Sequence, residues 1–318
     1  MTQGTQIDLV VSARDIVADE VVVLSLTDPT GRLPAWEPGA HISLSLPNGL
    51  VRQYSLCGDP DDTTTWKIGV LRQPDGRGGS QYVHEALVPG TRVTAHGPSN
   101  HFALVEARDY LFIAGGIGIT PLLPMIAAAH RAGANWRLRY GGRNRSSMAF
   151  ADQLTQQHGS NVQLYPQDEL GLLDIPQLLG TAQRNTQIYC CGPEPMLDTI
   201  TQQHARLGVG TVHLERFTPL AAQAGGVDDT AFDVICAASN QTLRIPPDQS
   251  ILQVAQAAGI DVFYSCEEGI CGTCETKILA GQADHRDAIL SVAEQERNET
   301  MMICVSRSRD RCTLRLDL

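Results

Sequence analysis

The sequence predicts a multidomain chain: a small antiparallel β-barrel, then a doubly wound α/β domain, then a small domain built around cysteines. Three observations predict it. Short runs rich in Val, Ile, Leu and Thr fill the first third, strand and helix patterns alternate through the middle, and three cysteines fall within nine residues near the end. A length of 318 residues suits two or three domains. The boundaries read as 1–106, 107–217 and 232–318, with a linker over 218–231.

In the first segment the strand candidates are 7–11, 20–27, 40–46, 51–56, 66–71 and 91–95. Asp28-Pro29-Thr30-Gly31, Pro47-Asn48-Gly49 and Pro89-Gly90 separate them. Proline presets the first corner of a turn, and glycine or asparagine takes the left-handed one. Strands at this spacing with few helical windows suit a barrel. In the middle segment, strands at 110–114, 136–141, 162–165 and 187–191 alternate with helices at 121–131, 149–157 and 195–206, which is the pattern of a parallel sheet. Pro121 would stand in a helix's first turn, where its missing N–H costs nothing. Residues 218–230 are small and polar, the composition of a linker. Beyond them a hairpin is expected at 232–237 and 241–245 around Ser239-Asn240, and Ser250 caps a short helix through 258.

A formal net charge of −11 argues against a nucleic-acid binder, which would present a basic face. Residues 107–231 are nearly neutral, with nine basic residues, all arginine, a residue suited to gripping phosphate. Residues 232–318 carry 8 basic and 13 acidic side chains. Residues 111–129 run without a charge for the length of a membrane span. Gly115, Gly116, Gly118, Pro121 and Pro124 would leave backbone groups unpaired in lipid, so a buried strand, a turn and a helix start are expected there instead. No membrane partner is expected. The first residues show neither a basic nor an apolar signal region, and with clustered cysteines the expected location is cytoplasmic.

The cysteines carry the sharpest signal. Cys266, Cys271 and Cys274 have the spacing C-x4-C-x2-C, and Cys304 follows at a distance. That is the plant-type ferredoxin arrangement for a 2Fe-2S cluster. Gly269 and Gly272 would let the backbone wrap closely and turn amide N–H groups onto the sulfurs. Four thiolates also satisfy zinc, but zinc sites usually pair two C-x2-C knuckles, and only one pair here has that spacing. Unrelated structural cysteines are the remaining reading.

Gly115, Gly116, Gly118, Thr120 and Pro121 follow a strand and open a helix, a context for a dinucleotide pyrophosphate at a helix N-terminus. A tight turn without a ligand is the alternative. Cys191, Gly192 and Pro193 form a second turn at the same sheet edge, where Cys191 would reach a bound nicotinamide; the alternative is that the pair Cys190 and Cys191 is one core thiol and one exposed thiol. Arg143 and Arg145 follow another strand, with no acid in that stretch to read a ribose hydroxyl, so both NADH and NADPH stay open.

Arg52-Gln53-Tyr54-Ser55 resembles the flavin motif of the ferredoxin–NADP reductase superfamily. With the glycine turns and the C-terminal cluster, the whole chain resembles the phthalate dioxygenase reductase family. It is similar too to vanillate demethylase reductases and to the reductase portion of self-sufficient haem monooxygenases. The resemblance implies a flavin barrel binding FMN, an NAD(P) domain and a β-grasp ferredoxin domain. It places Tyr54 against the flavin ring, Ser55 near its reactive nitrogen, Arg52 on its phosphate, and Gly78, Gly79 and Ser80 in a second phosphate loop. Gln53 belongs to the same motif, and Phe217 occupies the position of an aromatic beside the flavin, unless it is a core residue. The implied activity is an NAD(P)H-dependent reductase whose terminal oxygenase is of Rieske type, with a haem monooxygenase as the alternative partner. A redox-sensing iron–sulfur protein without turnover and a flavin or ferric reductase are the rival functions.

Overall fold

Alternating burial builds the first domain. In a computed structural model describing residues 6–218 and 229–318, β1 (Gln6–Ala18) turns Ile7, Leu9 and Val11 inward on a period of two. It is joined by β2 (Val21–Thr27), β3 (His41–Ser45), β4 (Val51–Ser55), β5 (Trp66–Leu71) and β6 (Arg92–Ser99). The order is β4-β3-β6-β1-β2-β5, and all neighbours are antiparallel. A bridge between Leu56 and Ile68 links the end of β4 to β5, so the sheet closes and its edges are paired. Leu9, Leu24, Ile42, Leu44, Trp66 and Ile68 fill the interior, each stabilising the barrel by roughly 1.5–3 kcal/mol. One helix was not expected. α1 (Gly79–Ala86) follows β5 and buries only Gly79 and Val83, too narrow an apolar stripe to show in the sequence.

The parallel sheet comprises β7 (Asp109–Gly115), β8 (Asn135–Gly142), β9 (Val162–Pro166), β10 (Gln187–Cys191) and β11 (Thr211–Glu215) in the order β11-β10-β7-β8-β9. On one face Phe112 and Ala114 pack with Leu122 and Ile126 of α2 (Leu122–Arg131) and Leu154 of α3 (Ala151–His158). A single turn, α4 (Gln167–Leu170), follows β9. On the other face Leu111 and Ile113 pack with Leu178 of α5 (Ile175–Gly180) and Ile200 of α6 (Glu194–Leu207). Strand order reverses between β7 and β10, and a ligand crevice opens at such a point. The uncharged run expected to be strand, turn and helix is β7, a 3₁₀ turn over Gly116–Ile119 and the start of α2. Among the described residues no helix is long and apolar enough to cross a membrane.

The barrel and this sheet belong to one compact unit, Met1–Phe217; Thr218–Leu318 forms another. Most of the expected linker, residues 219–228, lies outside the described residues. In the second unit β12 (Phe232–Cys236) and β13 (Gln241–Ile245) form the expected hairpin, and α7 (Ile251–Ala257) opens with a capping box between Ser250 and Gln253. Then come β14 (Glu275–Ala280), β15 (Ala283–Asp284), α8 (Val292–Arg297), β16 (Thr300–Met302), β17 (Arg307–Ser308) and β18 (Leu314–Leu316). The main sheet, β13-β12-β18-β14-β16, has a parallel pair only at β12–β18. Leu252 and Ala255 of α7 share its core with Val234, Met301 and Leu316, the layout of a β-grasp.

Candidate functional site

The barrel supplies the first group. Arg52, Gln53, Tyr54 and Ser55 end β4. Tyr54 packs on the barrel core, and burial pushes its phenol well up. Gln53 donates to Ser43 Oγ at 3.4 Å. The Arg52 guanidinium donates to the carbonyls of Val51 and Arg77, both at 2.8 Å. It lies across Gly79: a Cβ there would stand 2.4 Å from Arg52 Nε. Gly78 caps α1 in the left-handed region, at φ 77, which glycine enters without a steric penalty. Ser80 Oγ accepts the Gln73 N–H at 3.0 Å and closes the loop. A guanidinium beside the unpaired amides of a helix start is an arrangement suited to a phosphate.

The nucleotide sheet supplies the second. Gly115, Gly118 and Gly192 are pressed together where β7 and β10 end. A Cβ on Gly118 would stand 2.2 Å from the Cys191 carbonyl oxygen, and one on Gly115 2.6 Å from Pro193 Cδ. One on Gly192 would stand 2.9 Å from the Gly115 backbone. These three glycines therefore serve backbone packing. Gly116 differs: its φ is +54 and nothing lies within 4 Å of its would-be Cβ. Thr120 is buried, donates to the Ile117 carbonyl at 2.9 Å and meets Gly69 of β5, and Pro121 leads into α2.

Barrel and sheet meet at a residue the sequence analysis did not single out. The β10–β11 register sets Cys191 beside Glu215, and Glu215 Oε2 lies 3.5 Å from Ser55 Oγ. Burial pushes the Glu215 carboxyl up to about 8, against a small opposing effect of the Ser55 hydroxyl. Burial and then Glu215 push the Cys191 thiol up as well. Both Cys190 and Cys191 are fully buried, so neither is an exposed thiol. The available signal for Glu215 was an acid closing a strand next to the Cys-Gly-Pro turn. Phe217 is 39% exposed and is not a core residue. Arg216 between them pairs with Glu194 and Asp198 of α6.

Arg143 is exposed, and its carbonyl accepts the Asp168 N–H at 3.2 Å. Arg145 Nε meets Glu169 Oε1 at 3.0 Å. The stretch that lacks an acid in sequence thus receives one from α4.

In the second unit the four cysteines converge. Cys266 and Cys271 sulfurs are 3.1 Å apart, and Cys304 interacts with both Cys266 and Cys274. The amides of Glu268 and Thr273 donate to the Cys266 and Cys271 sulfurs, each at 3.3 Å. Gly269 and Gly272 take positive φ, 69 and 73, and a Cβ on Gly269 would stand 2.7 Å from Val305. The Cys266 sulfur and burial push the Cys271 thiol well up, so four thiolates packed this closely need a positively charged centre. All-sulfur donors wrapped by amides fit an iron–sulfur cluster.

Residues 234–309 match the family model for a 2Fe-2S iron–sulfur cluster binding domain. Residues 100–213 match the N-terminal domain of dimethylamine monooxygenase subunit DmmA-like proteins. A phenoxybenzoate dioxygenase subunit beta of Ectopseudomonas oleovorans is 42% identical over 304 residues, covering 95% of this chain and 94% of that one. The structure of a phthalate dioxygenase reductase, described as modular for electron transfer from pyridine nucleotides to [2Fe-2S], aligns with a TM-score of 0.71 at 34% identity over 98% of both chains. An intact type IV self-sufficient cytochrome P450 monooxygenase aligns with a TM-score of 0.92 at 40% identity, and this chain spans 41% of its length.

Proposed function

This chain belongs to the phthalate dioxygenase reductase family, and from that membership we propose that it passes electrons from a nicotinamide through FMN to a 2Fe-2S cluster and on to a terminal oxygenase. Bound flavin supplies the exchange between a two-electron donor and a one-electron acceptor, and the cluster supplies the one-electron exit. Residues 1–106 hold the flavin, 107–217 the nicotinamide nucleotide and 232–318 the cluster.

The observation that carries the reading is the contact of Ser55 with Glu215, which sets the end of the flavin-motif strand against the carboxyl edge of the nucleotide sheet. In this reading Arg52 and the first amides of α1 bind the FMN phosphate, Tyr54 backs the ring, and the Ser55 hydroxyl orients the ring's reactive edge. Burial pushes the Glu215 carboxyl up to about 8, which favours its protonated form beside Ser55. The turn from Gly115 to Pro121, where Gly116 leaves backbone open, would hold the nucleotide. Arg145 is already paired with Glu169, which lowers its value for a 2′-phosphate and favours NADH. Cys266, Cys271, Cys274 and Cys304 hold the cluster.

The oxygenase is of Rieske type in this reading. A haem monooxygenase is the second reading, supported by the likeness to the self-sufficient P450. The 13 acidic against 8 basic residues of 232–318 favour a positive partner face, so added salt should slow transfer to the partner. A cytoplasmic location suits nine unpaired cysteines.

Anaerobic addition of NADH to the flavin- and cluster-loaded protein should bleach the flavin band, faster than NADPH does. In Cys271→Ser, ferricyanide reduction should survive while cytochrome c reduction collapses. Cytochrome reduction untouched by that substitution would leave the cluster off the path and refute the reading.

A further inference from the structure

The loop over residues 284–290 lies against the cluster loop, and its chemistry goes beyond filling space. Asp287 is 3% exposed, yet its carboxylate is closely engaged. Oδ2 accepts the N–H groups of Ile289 and Leu290 at 3.2 and 2.8 Å, and the Ser306 hydroxyl stands 3.5 Å from Oδ1. That hydroxyl also accepts the Arg286 N–H at 3.2 Å. The residue between these anchors, Ala288, donates its N–H to the Gly269 carbonyl at 2.9 Å. The same glycine's own amide is directed at the Cys304 sulfur. Its Cα hydrogen faces Asp287, where a Cβ would come within 3.2 Å of the Asp287 Cα. The far end of the loop is fixed too: Arg286 binds both carboxylate oxygens of Asp229, at 2.6 and 3.0 Å, and Asp284 at 2.8 Å.

We propose that Asp287 is a positioning residue for the cluster: its buried carboxylate sets residues 288–290 so that Ala288 holds the Gly269 carbonyl and aims the cluster-loop amides at the sulfurs. Hydrogen bonds to cluster sulfurs raise the reduction potential, so a slack loop lowers it. Removing the carboxylate's charge acts in the opposite direction, and the two effects separate by comparing variants of equal charge.

Asp287→Glu keeps the charge and moves the carboxylate by one methylene. Asp287→Asn and Asp287→Ala both lose the charge, but only asparagine keeps an acceptor for the Ile289 and Leu290 amides. The measurement is the cluster's midpoint potential by redox titration followed by electron paramagnetic resonance in the full-length, flavin-loaded protein. The Glu protein should lie below wild type and the Ala protein below the Asn protein, each by on the order of a threefold change in the reduced-to-oxidised ratio. Should the Glu or Ala protein fail to hold a cluster while wild type and Asn load fully, the brace is supported by loading instead. A Glu protein equal to wild type, or an Asn protein equal to Ala, overturns it. The inference rests on the cluster assigned above: absence of the reduced-cluster signal in wild type would defeat that assignment, whereas a normal wild-type signal with either equality defeats only the brace.

Discussion

Two glycine-rich turns of the first unit look alike in sequence and use their glycines in opposite ways. In the turn that opens α1, Gly78 adopts a left-handed conformation and Gly79 makes room for the Arg52 side chain, the flexible end of another residue. In the turn that closes β7, Gly115 and Gly118 make room for the backbone and proline of the neighbouring Cys191-Gly192-Pro193 turn. A side chain can swing away; a strand-end carbonyl cannot. Glycine beside a side chain therefore adjusts a ligand site, while glycine beside backbone lets the sheet close. Only Gly116 of the second turn has open space around it, which makes its neighbourhood the natural place for a phosphate.

Substitution at Gly118 gives the largest expected effect. In Gly118→Ala the new methyl must displace the Cys191 carbonyl, which lies 2.2 Å away, so a loss of more than about 3 kcal/mol is expected. Denaturant unfolding of the loaded protein measures it. A variant as stable as wild type would show that the two strand ends separate easily and would erase the contrast between the turns. Gly79→Ala should behave differently. Alanine suits a helix start, so stability should change by less than about 1 kcal/mol. The methyl dislodges Arg52, however, and loss of a charge-assisted phosphate contact should weaken FMN binding by on the order of tenfold. Flavin fluorescence titration reads that directly. If Gly79→Ala unfolds the barrel and leaves flavin affinity unchanged, the assignment of the turns is reversed.

The same contrast explains what the sequence disclosed. Cysteine spacing is a constraint set by the ligand, so Cys266, Cys271, Cys274 and Cys304 were legible from spacing alone, and the structure brings them together. Alternating burial marks the start of β1, β6 and β8, whereas β2, β3, β7 and β10 were visible as short continuous apolar runs. β11 was missed because His213 and Glu215 interrupt its apolar run, and α5 because it has only six residues. After Cys274 the strands are two to six residues long, below what periodicity resolves. Glycine identity discloses the need for space but not what fills it: a pyrophosphate and a carbonyl leave the same mark. Glu215 and Glu169 act across strand register and loop contact, which no local window contains.

A pH-dependent effect tests the backbone-packed turn from its other side. The Cys191 carbonyl that Gly118 accommodates belongs to the residue that the β10–β11 register sets beside Glu215. Burial raises its titration from an ordinary 4.5 to about 8. The unfolded chain releases this proton near 4.5 and the folded one only near 8, so between those values the folded state binds more protons. The contribution of Glu215 to stability is thus fully present below about pH 4.5 and is lost as pH rises toward 8. Glu215→Gln carries no proton to lose. Stability of wild type relative to this variant should therefore decline by about 1–2 kcal/mol between pH 5 and pH 8, the full shift being discounted because Glu215 is only partly shielded from solvent. Paired thermal unfolding curves across that range supply the difference. A flat difference would mean that Glu215 ionises as an exposed carboxyl does and that water reaches the junction of barrel and sheet.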